Sequence, residues 1–550
     1  MSVPSLPEVQ ATFAATLCDE WFRQGLRDVV ICPGSRSTPL ALAAVRHGGL
    51  TIHVRLDERS ASFFAVGRAL ASHTPVAIIV TSGTAAAELH AAVCEADLAR
   101  VPLVVVTADR PPWLHGVGAP QTMNQQNLYG SAVRLFLDTG VADDAHRERW
   151  RDMAADSYIA AATRRGPVHV NVPLVEPLMA EAQTLPGLRT AVDDEIGRPE
   201  ITIDVAGQRT LAIAGTGTPA ALVNFLTSRG VVVVGDATTP HTMPYFDTLL
   251  RSDSFAGAAR PDVVIRIGGL PASKVLGQRL QQWQVPVVAL EIDGPVADPD
   301  RVVTQTLTGQ WQEPSGPDAQ SWTADPAYLE WWLAIVARYE QQVVGLDFAA
   351  GALTETSAAR AVVRHVNAGE RPLFVGSSMP IREIEWFTPS RTQRVFSNRG
   401  VNGIDGVVSS AFGANDGSGV VAMVGDLTFA HDLSAWVDAP KTGPVSVVVF
   451  DNGGGHIFDF LPQKSLLDED TFATLFTTPR PLNLEAFSAA VGATYHEATT
   501  VGELDAALAD DVASASVSII RARVNTTVSS TDFHAWLHRS SARIVAEFLP

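Results

Sequence analysis

The chain has few cysteines and few basic residues for its length. Three cysteines occur among 550 residues, Cys18, Cys32 and Cys94, and no pair has the Cys-x-x-Cys spacing. Neither a disulfide framework nor a zinc site is indicated, which favours a reducing compartment. Acidic residues outnumber basic ones by 59 to 40, giving a formal net charge of −19. This balance argues against nucleic acid and anionic membrane surfaces as partners.

Long apolar segments are also lacking. No apolar run approaches the roughly 18 residues that a membrane span needs, and the first residues do not combine a basic segment with an apolar one as secretory signals do. The sequence therefore predicts a cytoplasmic protein. Nucleotide-binding loops are incomplete as well. Gly215-Thr216-Gly217 completes neither a GxGxxG nor a Walker pattern, which favours a structural turn.

Short apolar strands alternate with helical segments along most of the chain. In the first part we predict strands at Asp28–Cys32, Thr51–Leu56, Val76–Thr81, Leu103–Thr107 and Val168–Val172, with a helix over Thr84–Ala99 among those between them. Such alternation is typical of a parallel sheet covered on both faces. Similar strands follow at 210–214, 231–234, 263–267 and 287–292, and again at 373–375, 395–397, 420–424, 445–450 and 517–522.

The length and this pattern predict an α/β protein with three doubly wound parallel-sheet domains. Polar stretches at 183–209 and near 344–352 are predicted linkers. The expected domains are residues 1–185, 186–345 and 346–550.

Polar residues follow four of the predicted N-terminal strands at the points where they end. They are Pro33–Arg36, Asp57–Glu58, Ser82–Thr84 and Asp109–Arg110. Because the carboxyl ends of parallel strands share one edge of a sheet, these segments predict a binding site there.

A second predicted site follows two apolar runs in the C-terminal part. Gly425-Asp426-Leu427-Thr428 comes after residues 420–424, and Asn452 stands 26 residues after Asp426, behind residues 445–450. A carboxylate and an amide oxygen at neighbouring strand ends can share a hard divalent cation, and glycines let a phosphate approach the backbone. Mg²⁺ with a diphosphate is the natural occupant. The alternative is that both segments are ordinary turns.

The spacing resembles the signature of thiamine diphosphate (ThDP) enzymes, Gly-Asp-Gly followed by a similar gap and Asn, although Leu427 replaces the second glycine. Four further segments extend the resemblance to the MenD branch of that family, the menaquinone-pathway synthases. They are Pro33–Pro39, Asp57–Arg59, Thr107–Pro111 and Ser397–Gly400. The resemblance implies ThDP and Mg²⁺ (or Mn²⁺) as cofactors. It also implies decarboxylation of 2-oxoglutarate and conjugate addition of the resulting succinyl-semialdehyde carbanion to isochorismate.

The resemblance implies that Glu58 is catalytic. In ThDP enzymes a buried glutamate at this motif hydrogen-bonds the aminopyrimidine ring of the cofactor. Proton transfer of this kind favours a carboxyl group whose pKa is raised by desolvation. The alternative is an acidic residue at a helix start, favoured by the helix dipole.

The same resemblance implies a substrate-binding set that is rich in cations. Both expected substrates are anionic, and guanidinium groups orient carboxylates well. The expected residues are Ser35, Arg36, Arg110, Gln121, Lys274, Ser378, Arg382, Arg399, Ile457 and Phe458. Pro120 departs from the family pattern, which commonly has Asn before Gln121. For the cations the alternative role is a surface salt bridge, and for Ile457 and Phe458 it is core packing.

Cofactor-binding residues are carried over in the same way. The expected set is Glu58, Ser82, Gly83, Ser378, Ile404, Gly425, Asp426, Leu427, Thr428, Asn452, Gly454 and Ile457. Of these, Asp426, the Asn452 side chain and the Gly454 carbonyl resemble the metal ligands. The loop after Asn452 is one residue shorter than in some relatives, so ligand identity could shift by one position. Ile404 resembles the apolar residue that bends ThDP, with core packing as its alternative role.

Family architecture adds expectations about assembly. The three units resemble the pyrimidine-binding, central and pyrophosphate-binding domains of ThDP enzymes, and the resemblance implies a homodimer or homotetramer with active sites between subunits. The His-His dipeptide of many aldehyde-releasing ThDP enzymes is absent, which favours carbon–carbon bond formation. Another ThDP carboligase or decarboxylase, such as an acetolactate synthase, and a non-catalytic cofactor-binding protein remain the alternatives.

Overall fold

The computed structural model describes residues 4–189, 199–292, 294–347, 352–391, 394–440, 443–525, 530–547 and 549. Within this described part, the strands form three sheets in which all pairings are parallel. The predicted α/β class with three parallel sheets is confirmed. Two compact units are present. The first holds the N-terminal sheet together with Asn398–Gly417 and His431–Pro440, and the second holds the other two sheets.

The N-terminal sheet has six strands in the order β2-β1-β3-β4-β6-β5. Its strands are β1 Asp28–Ile31, β2 Thr51–Val54, β3 Val76–Val80, β4 Leu103–Asp109, β5 Phe136–Asp138 and β6 Pro167–Pro173. Its helices are α1 Leu6–Gln24, α2 Thr38–His47, α3 Glu58–Ser72, α4 Thr84–Glu88, α5 His90–Leu98 and α6 Trp150–Thr163. Every residue of β3 and β4 is buried, as continuous apolar runs in a two-sided sheet predict.

The middle sheet has five strands in the order β11-β10-β9-β7-β8. Its strands are β7 Thr210–Ala214, β8 Val232–Gly235, β9 Val263–Ile267, β10 Val287–Glu291 and β11 Gln305–Thr308. The helices in this part of the chain are α7 Ala220–Ser228, α8 Phe246–Leu250, α9 Asp253–Ala258, α10 Lys274–Trp283, α11 Pro317–Ser321 and α12 Pro326–Asp347.

The C-terminal sheet has six strands in the order β13-β12-β14-β15-β17-β16. Its strands are β12 Leu373–Val375, β13 Val395–Phe396, β14 Val420–Gly425, β15 Val445–Asp451, β16 Thr494–Ala498 and β17 Val517–Arg523. The remaining helices are α13 Glu355–Ala368, α14 Met379–Phe387, α15 Val407–Ala414, α16 Asp426–His431, α17 Gln463–Leu466, α18 Glu469–Phe472, α19 Leu484–Val491, α20 Val501–Ser514 and α21 Ser530–Ala546.

Some predicted elements were wrong in extent or missing. The single helix expected over Thr84–Ala99 is two helices, which meet at Leu89. Strands β5, β11 and β16 were not predicted. All three lie at the end of a sheet and keep exposed or half-exposed residues, so their sequences lack the apolar run of a central strand.

The predicted linkers are only partly covered by the described residues. Helix α12 continues to Asp347, into the predicted linker near 344–352, whose residues 348–351 lie outside the described part of the chain. Residues 190–198 of the other linker lie outside it too. The domain boundaries therefore stay a prediction. No helix of the described residues is both long and apolar enough to cross a membrane.

Two glycines bring α3 and α15 into backbone contact within the first unit. A Cβ on Gly67 would lie 1.8 Å from the carbonyl oxygen of Ser410, and one on Gly413 would lie 2.0 Å from that of Phe64. The Oγ atoms of Ser60 and Ser409 are 2.8 Å apart across the same contact. Close packing here holds the helix that begins with Glu58.

We expect Gly67→Ala to lower the free energy of unfolding by about 3 kcal/mol, the upper end for an overpacked interior, because the added methyl group meets backbone atoms. Chemical denaturation of the purified protein measures the change. Gly257→Ala is the matched control, since Gly257 also lies in a helix and its Cβ would meet no atom within 4 Å. Equal stabilities of the two variants would contradict the close-packing account.

Candidate active site

Four polar segments share one edge of the N-terminal sheet. Strands β2, β1, β3 and β4 are neighbours in that order, so their carboxyl ends lie side by side. These ends lead into Asp57–Glu58, Pro33–Arg36, Ser82–Gly83 and Asp109–Arg110. These four segments are thus grouped by strand order alone.

Glu58 is the first residue of α3 and is half-buried. The preceding Asp57 caps the helix, its side chain accepting a hydrogen bond of 2.8 Å from the backbone N–H of Ser60. Burial raises the pKa of Glu58, and the charges of Asp57 and Glu88 raise it further. A helix-start acid stabilised mainly by the dipole would have a lowered pKa. The raised pKa of Glu58 therefore reflects desolvation and neighbouring negative charges more than the helix dipole.

Arg36 and Arg110 converge on one carboxylate. Arg36 is buried, and its guanidinium donates to the Leu174 carbonyl at 2.8 Å and to Glu176 Oε1 at 2.7 Å. Arg110 lies 3.6 Å from the same oxygen. The Glu176 side chain is 70% exposed, so solvent or a competing anion can reach this cluster. Two guanidinium groups around one carboxylate form an anion-binding arrangement.

Gln121 lies beside Ser82 and Gly83. The Gln121 side chain donates to the Ser82 carbonyl at 3.0 Å, and the Ser82 hydroxyl donates to the Gln121 carbonyl at 3.1 Å. Gln125, which sequence reasoning missed, is fully buried and accepts a 2.9 Å hydrogen bond from the Gly83 N–H. Ser35 is exposed in the adjacent turn after β1.

Arg399 and Ile404 precede α15 in the first unit. The buried Glu95 holds this loop by accepting hydrogen bonds from the N–H groups of Gly400 at 2.6 Å and Val401 at 2.7 Å. The guanidinium of Arg399 donates to the side chain of Asn402. Glu95 is a second residue that sequence reasoning missed.

In the second unit, β12, β14 and β15 are neighbours, so Ser378, Asp426 and Asn452 follow adjacent strand ends. Gly425 pairs with Phe450, which sets Asp426 level with Asp451. Asp451 accepts a 2.7 Å hydrogen bond from the Arg521 guanidinium. The pKa of Asp426 is raised to about 6, mainly by burial, and the charge of Asp451 acts in the same direction. Hydrogen bonds from the backbone N–H groups of Leu427, at 2.8 Å, and Gly453 act in the opposite direction.

The loop that follows β15 offers two candidate ligand oxygens, those of the Asn452 side chain and the Gly454 carbonyl. The Asn452 Nδ2 donates to Glu355 Oε1 at 2.7 Å, so its oxygen is turned elsewhere. The carbonyl oxygen of Gly454 accepts from the His456 N–H at 2.9 Å and keeps a second lone pair. A Cβ on Gly454 would lie 2.3 Å from the Thr477 carbonyl, so only glycine fits.

This donor set fits a divalent cation. Carboxylate, amide and carbonyl oxygens are the ligands that Mg²⁺ uses, and a cation would offset the desolvated charge of Asp426. Leu427 and the buried Thr428 are the second and third residues of α16, directly after Asp426. The Leu427 N–H already donates to Asp426, so the Thr428 hydroxyl is the side-chain group here that can meet a diphosphate.

Strain and an unpaired hydroxyl occur at the end of β12. Ser378 has φ of 74° and ψ of −130°, a conformation that non-glycine residues rarely adopt. The buried Ser377 hydroxyl has no hydrogen-bond partner among the described residues. Arg382 donates to the Ser378 carbonyl at 2.6 Å. Strain and an unsatisfied polar group at one strand end are typical of a ligand site.

The remaining predicted residues of this unit lie around α14. Lys274 is the exposed first residue of α10, and its loop is held to α14 by a 2.9 Å hydrogen bond from the Ala272 N–H to Glu385. Ile457 packs against the cluster of Met379, Trp386, Phe387 and Leu537. The ring of Phe458 contacts that of Phe476, with centroids 5.6 Å apart.

Comparisons with known proteins identify two cofactor-binding domains in this chain. The family description "thiamine pyrophosphate enzyme, N-terminal TPP binding domain" matches residues 11–128, and its C-terminal counterpart matches residues 382–522. A 2-succinyl-5-enolpyruvyl-6-hydroxy-3-cyclohexene-1-carboxylate synthase of Myxococcus xanthus is 36% identical over 577 aligned residues, which cover 97% of both chains. The synthase of that name from Thermobifida fusca is 37% identical over 90% of this chain and 93% of its own.

The chain belongs to the 2-succinyl-5-enolpyruvyl-6-hydroxy-3-cyclohexene-1-carboxylate synthase family. The resemblance to the MenD branch is confirmed. The predictions that the chain is a ThDP-dependent enzyme and that ThDP is its cofactor are confirmed as well. The N-terminal match of this synthase-family chain contains Glu58, and the C-terminal match contains Asp426 and Asn452. The roles of individual site residues stay predictions.

Hydrogen bonds also identify three supporting residues of the site that the sequence motifs did not predict. Gln125, Glu95 and Glu355 support predicted site loops from elsewhere in the chain. For Glu355, the signal in the sequence is weak: Thr354 and Ser357 form a capping box that marks it as a helix start, as Thr500 does for another helix. Nothing in the sequence links it to Asn452.

Proposed function

We propose that this chain decarboxylates 2-oxoglutarate and joins the remaining four-carbon unit to isochorismate, in a ThDP- and Mg²⁺-dependent reaction of menaquinone biosynthesis. The products are 2-succinyl-5-enolpyruvyl-6-hydroxy-3-cyclohexene-1-carboxylate and CO₂. The bond between the C1 carboxylate and the C2 carbonyl carbon of 2-oxoglutarate breaks and CO₂ leaves. The electron pair left on C2 forms the new bond to the ring of isochorismate, which takes up one proton. The observation that carries the proposal is the near full-length identity to synthases of that name.

Glu58 is the proposed catalytic residue. Bound ThDP supplies the electron sink that makes decarboxylation possible. The Glu58 carboxyl holds a proton against a ring nitrogen of the cofactor, a role supported by its half-buried position and raised pKa.

Asp426, Asn452 and the Gly454 carbonyl are the proposed ligands of Mg²⁺, or of Mn²⁺ in its place. Support comes from their oxygen atoms, which follow the carboxyl ends of the paired strands β14 and β15. The burial of the Asp426 carboxylate, which raises its pKa, gives further support. Gly425, Leu427 and Thr428 are proposed to contact the diphosphate. Ser82, Gly83, Ser378, Ile404 and Ile457 complete the proposed cofactor contacts.

Substrate anions are proposed to bind the cations of the predicted set, namely Arg36, Arg110, Lys274, Arg382 and Arg399. The convergence of Arg36 and Arg110 on Glu176 supports this role, because the two guanidinium groups share one carboxylate there. Such a set matters in a chain of net charge −19, whose overall field repels anions. Ser35, Gln121, Ser378, Ile457 and Phe458 are the proposed uncharged contacts.

We also propose a homodimer or homotetramer with active sites between subunits, as in ThDP enzymes generally. Glu58 and Asp426 of one chain would then serve different sites. The predicted domains, residues 1–185, 186–345 and 346–550, are proposed as the pyrimidine-binding, central and pyrophosphate-binding units. The unpaired state of Cys18, Cys32 and Cys94 supports a cytoplasmic location.

A spectrophotometric assay of isochorismate tests the proposed reaction. With ThDP and Mg²⁺ present, we expect isochorismate to be consumed only when 2-oxoglutarate is also supplied, with one CO₂ released per isochorismate lost. In a second assay, pyruvate is supplied as the only substrate. Its consumption there would favour an acetolactate-synthase-type enzyme instead. No consumption of either proposed substrate would contradict the proposal.

A further inference from the structure

A buried carboxylate contacts the side chain of Asn452. Glu355 is the first residue of α13 and is 3% exposed. Its Oε1 accepts a hydrogen bond of 2.7 Å from Asn452 Nδ2. The capping box formed by Thr354 and Ser357, with a 3.0 Å bond from the Ser357 N–H to Thr354 Oγ1, fixes the backbone at this point. The backbone that carries the carboxylate is therefore fixed by its own helix.

The chemistry of the pair dictates which way the amide points. A carboxylate can only accept hydrogen bonds, whereas the amide of asparagine has a donating nitrogen at one end and an accepting oxygen at the other. A bond of 2.7 Å to Glu355 therefore fixes the nitrogen on that side and turns the oxygen away from it. A rotated amide would set oxygen against oxygen.

We propose that Glu355 is a positioning residue that orients the Asn452 amide so that its oxygen faces the divalent cation of the cofactor site. The inference rests on the proposed role of Asn452 as a metal ligand. Without the carboxylate, the amide can rotate and present its NH₂ group, which cannot bind a cation. Partners behind the ligands of metal sites commonly control affinity in this way.

Glu355 belongs to a larger buried cluster. Glu383 and His534 lie beside it, and one oxygen or nitrogen atom of each of the three residues lies within 4.8 Å of the others. Glu383 accepts a 2.9 Å hydrogen bond from the Thr356 hydroxyl and is also bonded to His534. The cluster connects α13, α14 and α21. Its member Glu383 directly follows Arg382 in α14. We interpret it as hydrogen-bonded support for the site, because the bonds to Thr356 and Asn452 engage both carboxylates.

Exchanging donor and acceptor tests the orientation directly. Four proteins are compared: the wild type, Glu355→Gln, Asn452→Asp and the double variant. In Glu355→Gln the amide at position 452 loses its fixed orientation, and in Asn452→Asp two carboxylates face each other. In the double variant the new amide donates to the new carboxylate, so the hydrogen bond is restored in reverse and an oxygen still faces the cation.

The readout is the dissociation constant of Mn²⁺ in the presence of ThDP, measured from the electron paramagnetic resonance signal of free Mn²⁺. We expect each single substitution to raise it about 10- to 100-fold. The double variant is expected to return to within about threefold of the wild type. Thermal melts without cofactor control for folding. If Glu355 only stabilised helix α13, the double variant would bind Mn²⁺ no more tightly than the single variants. That result would overturn the proposal.

Two further outcomes separate this inference from the proposed function. Wild-type turnover together with unchanged Mn²⁺ affinity in Glu355→Gln would overturn the inference alone. Mn²⁺ binding that survives Asp426→Ala but is lost in His534→Ala would place the cation in the cluster of Glu355, Glu383 and His534, and would overturn the positioning role. Rescue in the double variant, with loss of binding in Asp426→Ala, supports both.

Discussion

Replacement of Glu58 by glutamine is expected to lower turnover by about 10²- to 10⁴-fold while ThDP still binds, because general acid–base catalysis contributes rate enhancements of that size. The amide keeps the shape of the side chain and can still form a hydrogen bond to the cofactor ring. The amide can neither release nor take up a proton at neutral pH, so it cannot act as an acid or a base. Steady-state consumption of isochorismate gives the turnover, and calorimetric titration with ThDP and Mg²⁺ gives the affinity.

Glu88→Gln is the matched control for this experiment. Glu88 is an exposed acid whose charge acts on Glu58, and no role in the site is assigned to it. Its replacement removes a nearby negative charge without touching the proposed catalytic group, so turnover within about threefold of the wild type is expected. A Glu58→Gln enzyme with the same activity as Glu88→Gln would rule out the catalytic assignment.

Loss of the Asp426 carboxylate is expected to abolish metal-dependent cofactor binding. Asp426→Ala removes the one charged side chain of the proposed ligand set. ThDP with Mg²⁺ should therefore no longer raise the melting temperature, since bound ligands stabilise the folded state only through their affinity for it. Turnover should fall to background, because the cofactor is no longer bound. In the cofactor-free protein the same change should not be destabilising, because burial without a cation is unfavourable for this carboxylate. Differential scanning fluorimetry with and without cofactor measures both effects.

Asp470→Asn provides a comparison for Asp426→Ala. Asp470 is exposed in α18, so this variant should keep the full cofactor-induced increase in melting temperature. An Asp426→Ala protein that is stabilised by ThDP and Mg²⁺ as strongly as the control would show that the cation binds elsewhere.

The central strands and the polar residues behind them could be predicted from the sequence, because both leave local signals. Val420–Gly425 and Val445–Asp451 are apolar runs buried on both faces, and Asp426 and Asn452 follow them. Edge strands such as Thr494–Ala498 carry exposed polar residues and leave no such run. Their pairing depends on a neighbour in the sheet rather than on their own composition.

Supporting residues of the site could not be predicted for a different reason. Glu355 and Asn452 are 97 positions apart, and Glu95 and Gly400 are 305 apart. Hydrogen bonds between such distant positions follow no sequence period, so they emerge only from the fold. The strained backbone of Ser378 is likewise set by its surroundings and not by residue type.

Anomalous diffraction from crystals grown with ThDP and Mn²⁺ tests the central claim most directly. We expect one strong Mn²⁺ peak bonded to Asp426, the Asn452 oxygen and the Gly454 carbonyl, with the cofactor diphosphate completing its coordination. A peak at Glu355, Glu383 and His534, or ThDP bound with no cation at Asp426, would contradict the account.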